Sequence, residues 1–351
     1  MFTDDTAFVI GVDTHRDTHA FAVLDRATGA VLDEFECPAD STGYRDALRR
    51  AKRSGRGGRV WAVEGTGSYG AGLTTLLQSV GERVVEVDHP HRRERDARGK
   101  SDELDAIRAA RMVIGRSRHT QPRKRDGPRE ALRVLMIARA GAVATRTDAI
   151  RQLRSIIVAL PDAARQRLRG LSPDRLAATC AQLRPPRRDP HQAATINAIR
   201  AIARRALHAT AEAKQHRLDI TTWVRALNRQ VLDESGVGSI TAAQLLISWS
   251  HPNRLRSEAC FARLAGIAPI PASSGNTTRH RLDRGGDRQL NNAIHTTAIY
   301  RATRDPRTID YIQRRISEGK TRREAIRALK RHIARHLYRL LETTSRPLDT
   351  T

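Results

Sequence analysis

Five short apolar runs in the first 90 residues constrain this chain more than any other feature of it. They cover residues 7–12 (Ala-Phe-Val-Ile-Gly-Val), 19–24, 31–35, 59–63 and 83–87, and turn residues such as Thr28-Gly29 lie between them. Runs of this length, carrying β-branched and aromatic side chains, read as strands. The first three follow one another closely, as an antiparallel meander does. Helical stretches separate the last two, from Ser41 to Lys52 and from Tyr69 to Val80, and an alanine-rich helix over Lys100 to Ile114 comes after them. Three strands, helix, strand, helix, strand, helix makes a mixed α/β sheet.

That order is the order of a ribonuclease H-like domain, and acids fall where such a sheet would do chemistry. Asp13 directly follows the first run, Glu64 directly follows the fourth, and Asp102 and Asp105 stand three apart on a predicted helix, hence on one face. Four carboxylates drawn to one sheet edge repel one another unless cations intervene. A hard, oxygen-seeking divalent ion such as Mg2+ is the natural occupant. Two such ions, about 3.5–4 Å apart, would activate an attacking oxygen and stabilise a leaving one in phosphoryl displacement. Taken singly, each acid also reads as a cap or a surface charge, with Asp102 and Asp105 placed like helix-start acids. Their joint placement argues for the metal. His15, His19, His89 and His91 lie near the same edge. Arg92, Arg93, Arg95, Arg98 and Lys100 precede Asp102 in a loop that serves as a phosphate clamp or as a solvated charge run.

From about Pro128 to Asn228 the chain turns rich in Ala, Arg, Leu and Ile, and Pro161, Pro173 and the Pro185–Pro190 segment interrupt it. Leu132, Leu135, Ile150, Leu153, Ile156 and Ile157 recur at helical spacing, so two long helices with a break near 160–190 are expected, a coiled-coil hairpin or helical arm. Beyond it, Gly236-Val237-Gly238 makes a tight turn, and Ser239 or Thr241 can cap the following helix. Outward backbone N–H groups at a helix start suit a phosphate, as in a helix-hairpin-helix turn. Residues 301–340 carry 13 Lys or Arg against 4 acids. There Ile326, Leu329, Ile333, Leu337 and Leu340 form an apolar stripe that leaves a basic opposite face.

The charge balance points the same way. Of 351 residues, 63 are Lys or Arg and 38 are Asp or Glu, a formal net charge of +25, which calls for a polyanionic partner, foremost nucleic acid. The excess is almost all arginine, whose planar fork grips phosphate bidentately. Cys37, Cys180 and Cys260 have no metal-ligand or disulfide spacing, and no long apolar run marks a membrane span. A soluble, cytoplasmic protein is expected.

The last informative stretch is Ala268 to Leu282, where Ser273 and Ser274 sit in a loop fixed by Pro269 and Pro271, released by Gly275 and followed by basic side chains. A serine aimed at a phosphodiester needs such holding and such cations; an ordinary surface turn has the same composition. Taken together, Gly11-Val12-Asp13-Thr14-His15, Glu64-Gly65-Thr66-Gly67, Gly99 to Ala106, the Gly236-Val237-Gly238 turn and Pro269 to Gly275 resemble an IS110-family transposase, in order and over nearly the full chain.

The resemblance implies an N-terminal RuvC-like domain over 1–120, whose DEDD set falls on Asp13, Glu64, Asp102 and Asp105 with Mg2+. A helical coiled-coil linker over 121–230 and a mainly helical transposase domain over 231–351 would follow. The nucleophile carries over to Ser274, with Ser273 as the alternative, and Arg279, Arg281, Arg284 and Arg288 are assigned to phosphate contacts. DNA strand exchange through a phosphoserine, guided by a structured bridge RNA, and assembly of dimers into tetramers are likewise implied. Other classes compete. A structure-selective nuclease of the Holliday-junction type would use the same acids on water, an actin-like ATPase would need further glycine-rich phosphate loops, and a non-catalytic nucleic-acid-binding protein would show no metal-dependent reaction.

Overall fold

The computed structural model describes residues 6–54, 57–87, 102–115, 119–123, 127–271, 280–281, 283 and 285–344. Two compact units divide the chain: residues 1–125 with 250–260, and residues 126–249 with 261–351.

The first unit is built on a five-stranded sheet in the order β3-β2-β1-β4-β5, with β1 Thr6–Thr14, β2 Thr18–Asp25, β3 Val31–Pro38, β4 Gly58–Glu64 and β5 Arg83–Val87. The first three strands form the expected antiparallel meander, while β4 lies parallel to β1, and β5 parallel to β4. Parallel neighbours need crossovers. Here α1 (Ser41–Ser54) and α2 (Ala71–Ser79) supply them.

Strand period decides which side chains meet which layer. Ile10 and Val12 of β1, with Trp61 and Val63 of β4, enter the core against Tyr44 and Leu48 of α1 and Leu73 and Leu77 of α2. Val9 of β1, with Val60 and Ala62 of β4, faces the opposite way, against Ala106, Ile107, Ala110 and Val113 of α3 (Asp102–Ile114). Continuing that alternation, Gly11 and Asp13 share Val9's face, and Glu64 shares that of Val60 and Ala62. Gly11 has a specific reason to be glycine. A Cβ on it would lie 1.8 Å from the carbonyl oxygen of Ala106 and 2.8 Å from the amide nitrogen of Ala110, so α3 rests directly on the β1 backbone.

Glu82 fastens β4 to the start of β5. It accepts two bonds from Arg59, at 2.8 and 2.5 Å, and one from the indole N–H of Trp61 at 3.0 Å. Burial by itself would raise this carboxyl, but the bonds from Arg59 and Trp61 outweigh it and hold the group below its ordinary range. Segment 250–260 also belongs to this unit, and its buried Arg254 lies 3.6 Å from Glu86 of β5.

Among its described residues the second unit is helical apart from one short hairpin. The expected pair of long helices is α4 (Gly127–Val158) and α7 (Pro190–Asn228), and two short helices, α5 (Asp162–Arg169) and α6 (Pro173–Ala181), occupy the break that the prolines signalled. Ala149, Ile150, Leu153 and Ile157 of α4 pack with Leu176 and Cys180 of α6 and Ile199, Ala203 and Ala206 of α7. Next comes α8 (Ser239–Trp249), buried continuously from Ala242 to Trp249, as a helix surrounded by others must be. The rest is α9 (Glu258–Leu264), the two-stranded hairpin of β6 (Ile270–Pro271) and β7 (His280–Arg281), α10 (Arg288–Arg304), α11 (Pro306–Ser317) and α12 (Arg322–Thr344). The stripe expected on α12 is buried at Ile326, Leu329, Ile333 and Leu337, but Leu341 rather than Leu340 completes it.

Gly11→Ala is expected to cost the first unit roughly 3 kcal/mol or more, because the contact it creates is with backbone; equilibrium urea unfolding checks it. The Glu82 bonds contribute stability that is complete above the ordinary carboxylate range and lost as pH falls through the depressed folded value. Glu82→Gln should therefore remove part of the acid sensitivity of unfolding, read as a smaller drop in midpoint between pH 7 and a pH below the ordinary carboxylate range.

Candidate active site

Two of the four acids emerge together at one end of the sheet. Val12 and Val63 are register partners on the parallel strands β1 and β4, so Asp13 and Glu64 are the next residues on each strand. Both are nearly buried, at 9% and 6% exposure. The hydroxyl of Thr14 donates to the carbonyl of Glu64 at 3.0 Å, tying the two strand ends together. Past Glu64, Gly65 takes φ +64° and its carbonyl accepts from the amides of Ser68 and Gly70. The buried Thr66 then donates to Glu86 of β5 at 2.7 Å. The turn that presents Glu64 is therefore held on both sides.

The other two acids come from α3. Asp102 is its first residue and stands one turn before Ala106, the residue pressed against Gly11. Asp105 precedes Ala106, is mostly buried, and accepts from Arg108 at 2.6 Å. That internal cation competes with any metal for the Asp105 carboxylate. Among the described residues no group of three His, Cys, Asp or Glu side chains lies close enough to hold an ion. The donor chemistry nevertheless fits one: two buried hard-oxygen donors on adjacent strand ends, under a helix that begins with a third acid and carries a fourth.

Of the histidines, His15 brings Nε2 to 3.8 Å from Asp13 and is partly exposed. His19 is fully buried, stacked on Tyr44 at 5.5 Å, with Nδ1 2.9 Å from the carbonyl of Thr18. Burial lowers its pKa, so the ring is neutral and belongs to the core. His89, His91 and the run Arg92 to Lys100 lie outside the described residues, as do Ser273, Ser274, Arg279 and Arg284.

What is described around the serine loop is its stem. Pro271 and His280 pair across β6 and β7, so residues 272–279 form the connection between them. A polar clasp secures the chain on either side. The amide of Asp287 donates to the carbonyl of Leu264 at 2.6 Å, and Asn291 donates to the carbonyl of Ala265 at 2.7 Å. Asp287 also caps α10, accepting from the amides of Gln289 and Leu290, and its second oxygen accepts from the buried Ser248 at 2.6 Å. Lys330 of α12 donates to Asn291 at 2.7 Å, and burial lowers the lysine pKa. Sequence reasoning missed this clasp. The readable signal was Gly285-Gly286-Asp287 ahead of a helical run, a turn followed by a cap.

The Gly236 turn lies in the same unit. Gly236 has φ +78°, and a Cβ there would meet the Tyr300 ring at 3.0 Å. Arg301 donates to the carbonyl of Ser235 at 2.7 Å and to Glu234 at 2.9 Å, which fixes the turn from below. Helix α8 starts at Ser239, so the exposed Gly238, rather than Ser239 or Thr241, takes the flanking position. Arg288 is exposed at the start of α10.

Comparison with known proteins matches this layout in order. Residues 10–160 fit the DEDD transposase model of the IS110 group, and residues 229–313 fit the model described as transposase IS116/IS110/IS902 family. The chain belongs to the IS110 family of transposases. It is 27% identical to the 42 kDa protein of insertion element IS900 from Mycobacterium paratuberculosis, over 94% of both chains. Identity to the 43.6 kDa protein of insertion element IS110 from Streptomyces coelicolor is 30%, over 39% of this chain and 34% of that one. The first family match begins at β1 and takes in all four acids, and the second contains both the Gly236 turn and the clasped hairpin. No helix among the described residues is long and apolar enough to cross a membrane.

Asp287→Ala removes a helix cap and the acceptor of the buried Ser248 hydroxyl, which should cost about 2–4 kcal/mol. Asp287→Asn keeps an accepting oxygen for the cap and should lose less. Thermal unfolding of the three proteins orders them wild type, Asn, Ala.

Proposed function

We propose that this IS110-family chain exchanges DNA strands, joining donor and target through a covalent phosphoserine intermediate. The observation that carries the reading is the pairing of buried Asp13 and Glu64 on neighbouring parallel strand ends, beneath the helix that begins at Asp102 and carries Asp105. The strand order, with α3 across the sheet, supports a ribonuclease H-like reading of the first unit.

In this reading Ser274, or its neighbour Ser273, attacks a DNA phosphodiester. The Oγ–P bond forms as the bond from phosphorus to one deoxyribose oxygen breaks; the serine proton leaves to a base, and the departing oxygen takes up a proton as a free hydroxyl. Attack of a hydroxyl from the partner strand on the phosphoserine reverses the step and restores the serine. Bond energy is kept in the linkage, so no nucleotide cofactor is consumed. Asp13, Glu64, Asp102 and Asp105 would hold Mg2+, which when bound supplies neutralising charge for the phosphoryl oxygens. Arg279, Arg281, Arg284 and Arg288 take the backbone phosphates beside the serines, and Gly236, Gly238 and Thr241 offer a sequence-independent grip on a strand. The Gly236 turn is suited to that role because Arg301 and Tyr300 hold it from within the unit, leaving Gly238 exposed.

A net charge of +25 suits a polyanionic partner, and from the family resemblance the reading also includes a structured bridge RNA that selects donor and target. Homo-oligomers, dimers pairing into tetramers, would bring two sites to two duplexes. A water-activating nuclease would use the same carboxylates and leave no protein on the DNA.

The test mixes full-length protein, produced with the noncoding flanks of its gene, with labelled element-junction DNA and Mg2+, followed by a denaturing gel. A covalent protein–DNA band is expected, abolished by Ser274→Ala and retained by Ser273→Ala. Asp102→Asn should reduce exchange by at least about a hundredfold with nucleic-acid binding nearly intact. Cleavage without an adduct would replace the phosphoserine route by hydrolysis.

A further inference from the structure

The outward face of α10 differs in kind from a solvated helix face. Arg288, Asn292, His295 and Ile299 succeed one another at spacings of four, three and four, a single stripe along the helix. All four are exposed, and Tyr300 beside the last is 48% exposed. No carboxylate occurs anywhere in the helix, from Arg288 to Arg304. A solvated face carries charges of both signs. This one offers a guanidinium, an amide, an imidazole and an apolar end. A guanidinium can take the backbone phosphate while the groups beyond it read base edges in a major groove, as Asn does on adenine and apolar carbon on the thymine methyl.

The first half of the stripe borders a cavity of 270 Å³ walled by Asp283, Asp287, Arg288, Asn291, Asn292 and His295. Its inner wall is committed to the fold: both oxygens of Asp287 and both ends of the Asn291 amide are bonded within the unit. Two carboxylates in the wall disfavour a phosphate there, and among the described residues no cluster suits a metal. Burial, and then the charge of Lys330, keep His295 below its ordinary pKa, so its ring is neutral near pH 7 and both donates and accepts. The same helix end is bonded to Leu264 and Ala265, at the stem of the hairpin that carries the serine loop.

We propose that Asn292, His295 and Ile299 read base edges of duplex DNA beside the exchanged strand, with Arg288 at the head of the stripe on the backbone phosphate, so that the protein itself adds sequence preference there. The proposal deepens the strand-exchange reading and takes DNA as partner from it. Asn292 and His295 are the specificity-determining residues to change first, because both are exposed and their replacement leaves the clasp untouched.

The experiment presents full-length protein, with RNA transcribed from its flanks, with junction duplexes randomised around the exchange position; bound DNA and joined DNA are sequenced separately. Asn292→Ala and His295→Ala are each expected to flatten the preference at one or two positions in the bound pool, by roughly fivefold to a hundredfold between best and worst base. Total binding and its salt dependence should change little. A bound-pool profile identical to wild type in both variants overturns the proposal. Uniform weakening across all sequences with a shallower salt dependence also overturns it, since that marks phosphate contacts. The joined pool tests the underlying reading separately: a flattened bound-pool profile with no joined product from wild type would sink strand exchange and leave base reading standing.

Discussion

The first unit depends on the direct contact of α3 with the backbone of β1 at Gly11. Packed layers are normally separated by interdigitating side chains, about 10 Å apart for two sheets. Here the absence of a side chain on Gly11 and the small Ala106 and Ala110 of α3 let backbone approach backbone. The helix is thereby fixed in register with the strand two residues before Asp13. The spacing of its acids then matters, because Asp102 and Asp105 fall in the turn next to the contact. A methyl group at one position would disturb both the core and the carboxylate edge.

The second unit adds buried polar bonds to close backbone packing, which it also has where Gly286 meets the carbonyl of Leu264. Helix α8 is surrounded by apolar neighbours, yet Gln244 and Ser248 face inward from it, and Ser248 passes the chain of bonds to Asp287. Each member of that chain is satisfied, and a satisfied buried network rigidifies where a partial one destabilises. Together with Asn291 and Lys330 it anchors the chain on both sides of a two-residue hairpin too small to be stable alone. The stem that leads into residues 272–279 gains a fixed base in this way.

Much of the fold was legible from pattern. The strand β5 falls on Arg83–Val87 as read, and the other strands agree with their apolar runs to within three residues at either end, because strand period and turn residues act locally. The acids at 13 and 64 were legible for the same reason, since each ends a buried run. The clasp was not. Asp287 and Ser248 are 39 residues apart, as are Asn291 and Lys330, and nothing in local composition pairs them. His15 and His19 looked alike in sequence, and only packing separates the buried ring on Tyr44 from the half-exposed one near Asp13.

By itself the sequence determined the elements, the placement of Asp13 and Glu64 directly after buried runs, and the basic balance that calls for nucleic acid. These follow from short-range periodicity and from net charge, neither of which needs a partner distant along the chain. Only the tertiary structure decided that β4 lies beside β1, that α3 rests on Gly11, and that Asp105 is engaged by Arg108. It likewise decided that α10 turns a stripe of unlike hydrogen-bonding groups outward while its other face closes the clasp. Such choices depend on which buried surfaces and polar groups find each other across long loops, and a linear pattern carries no record of that.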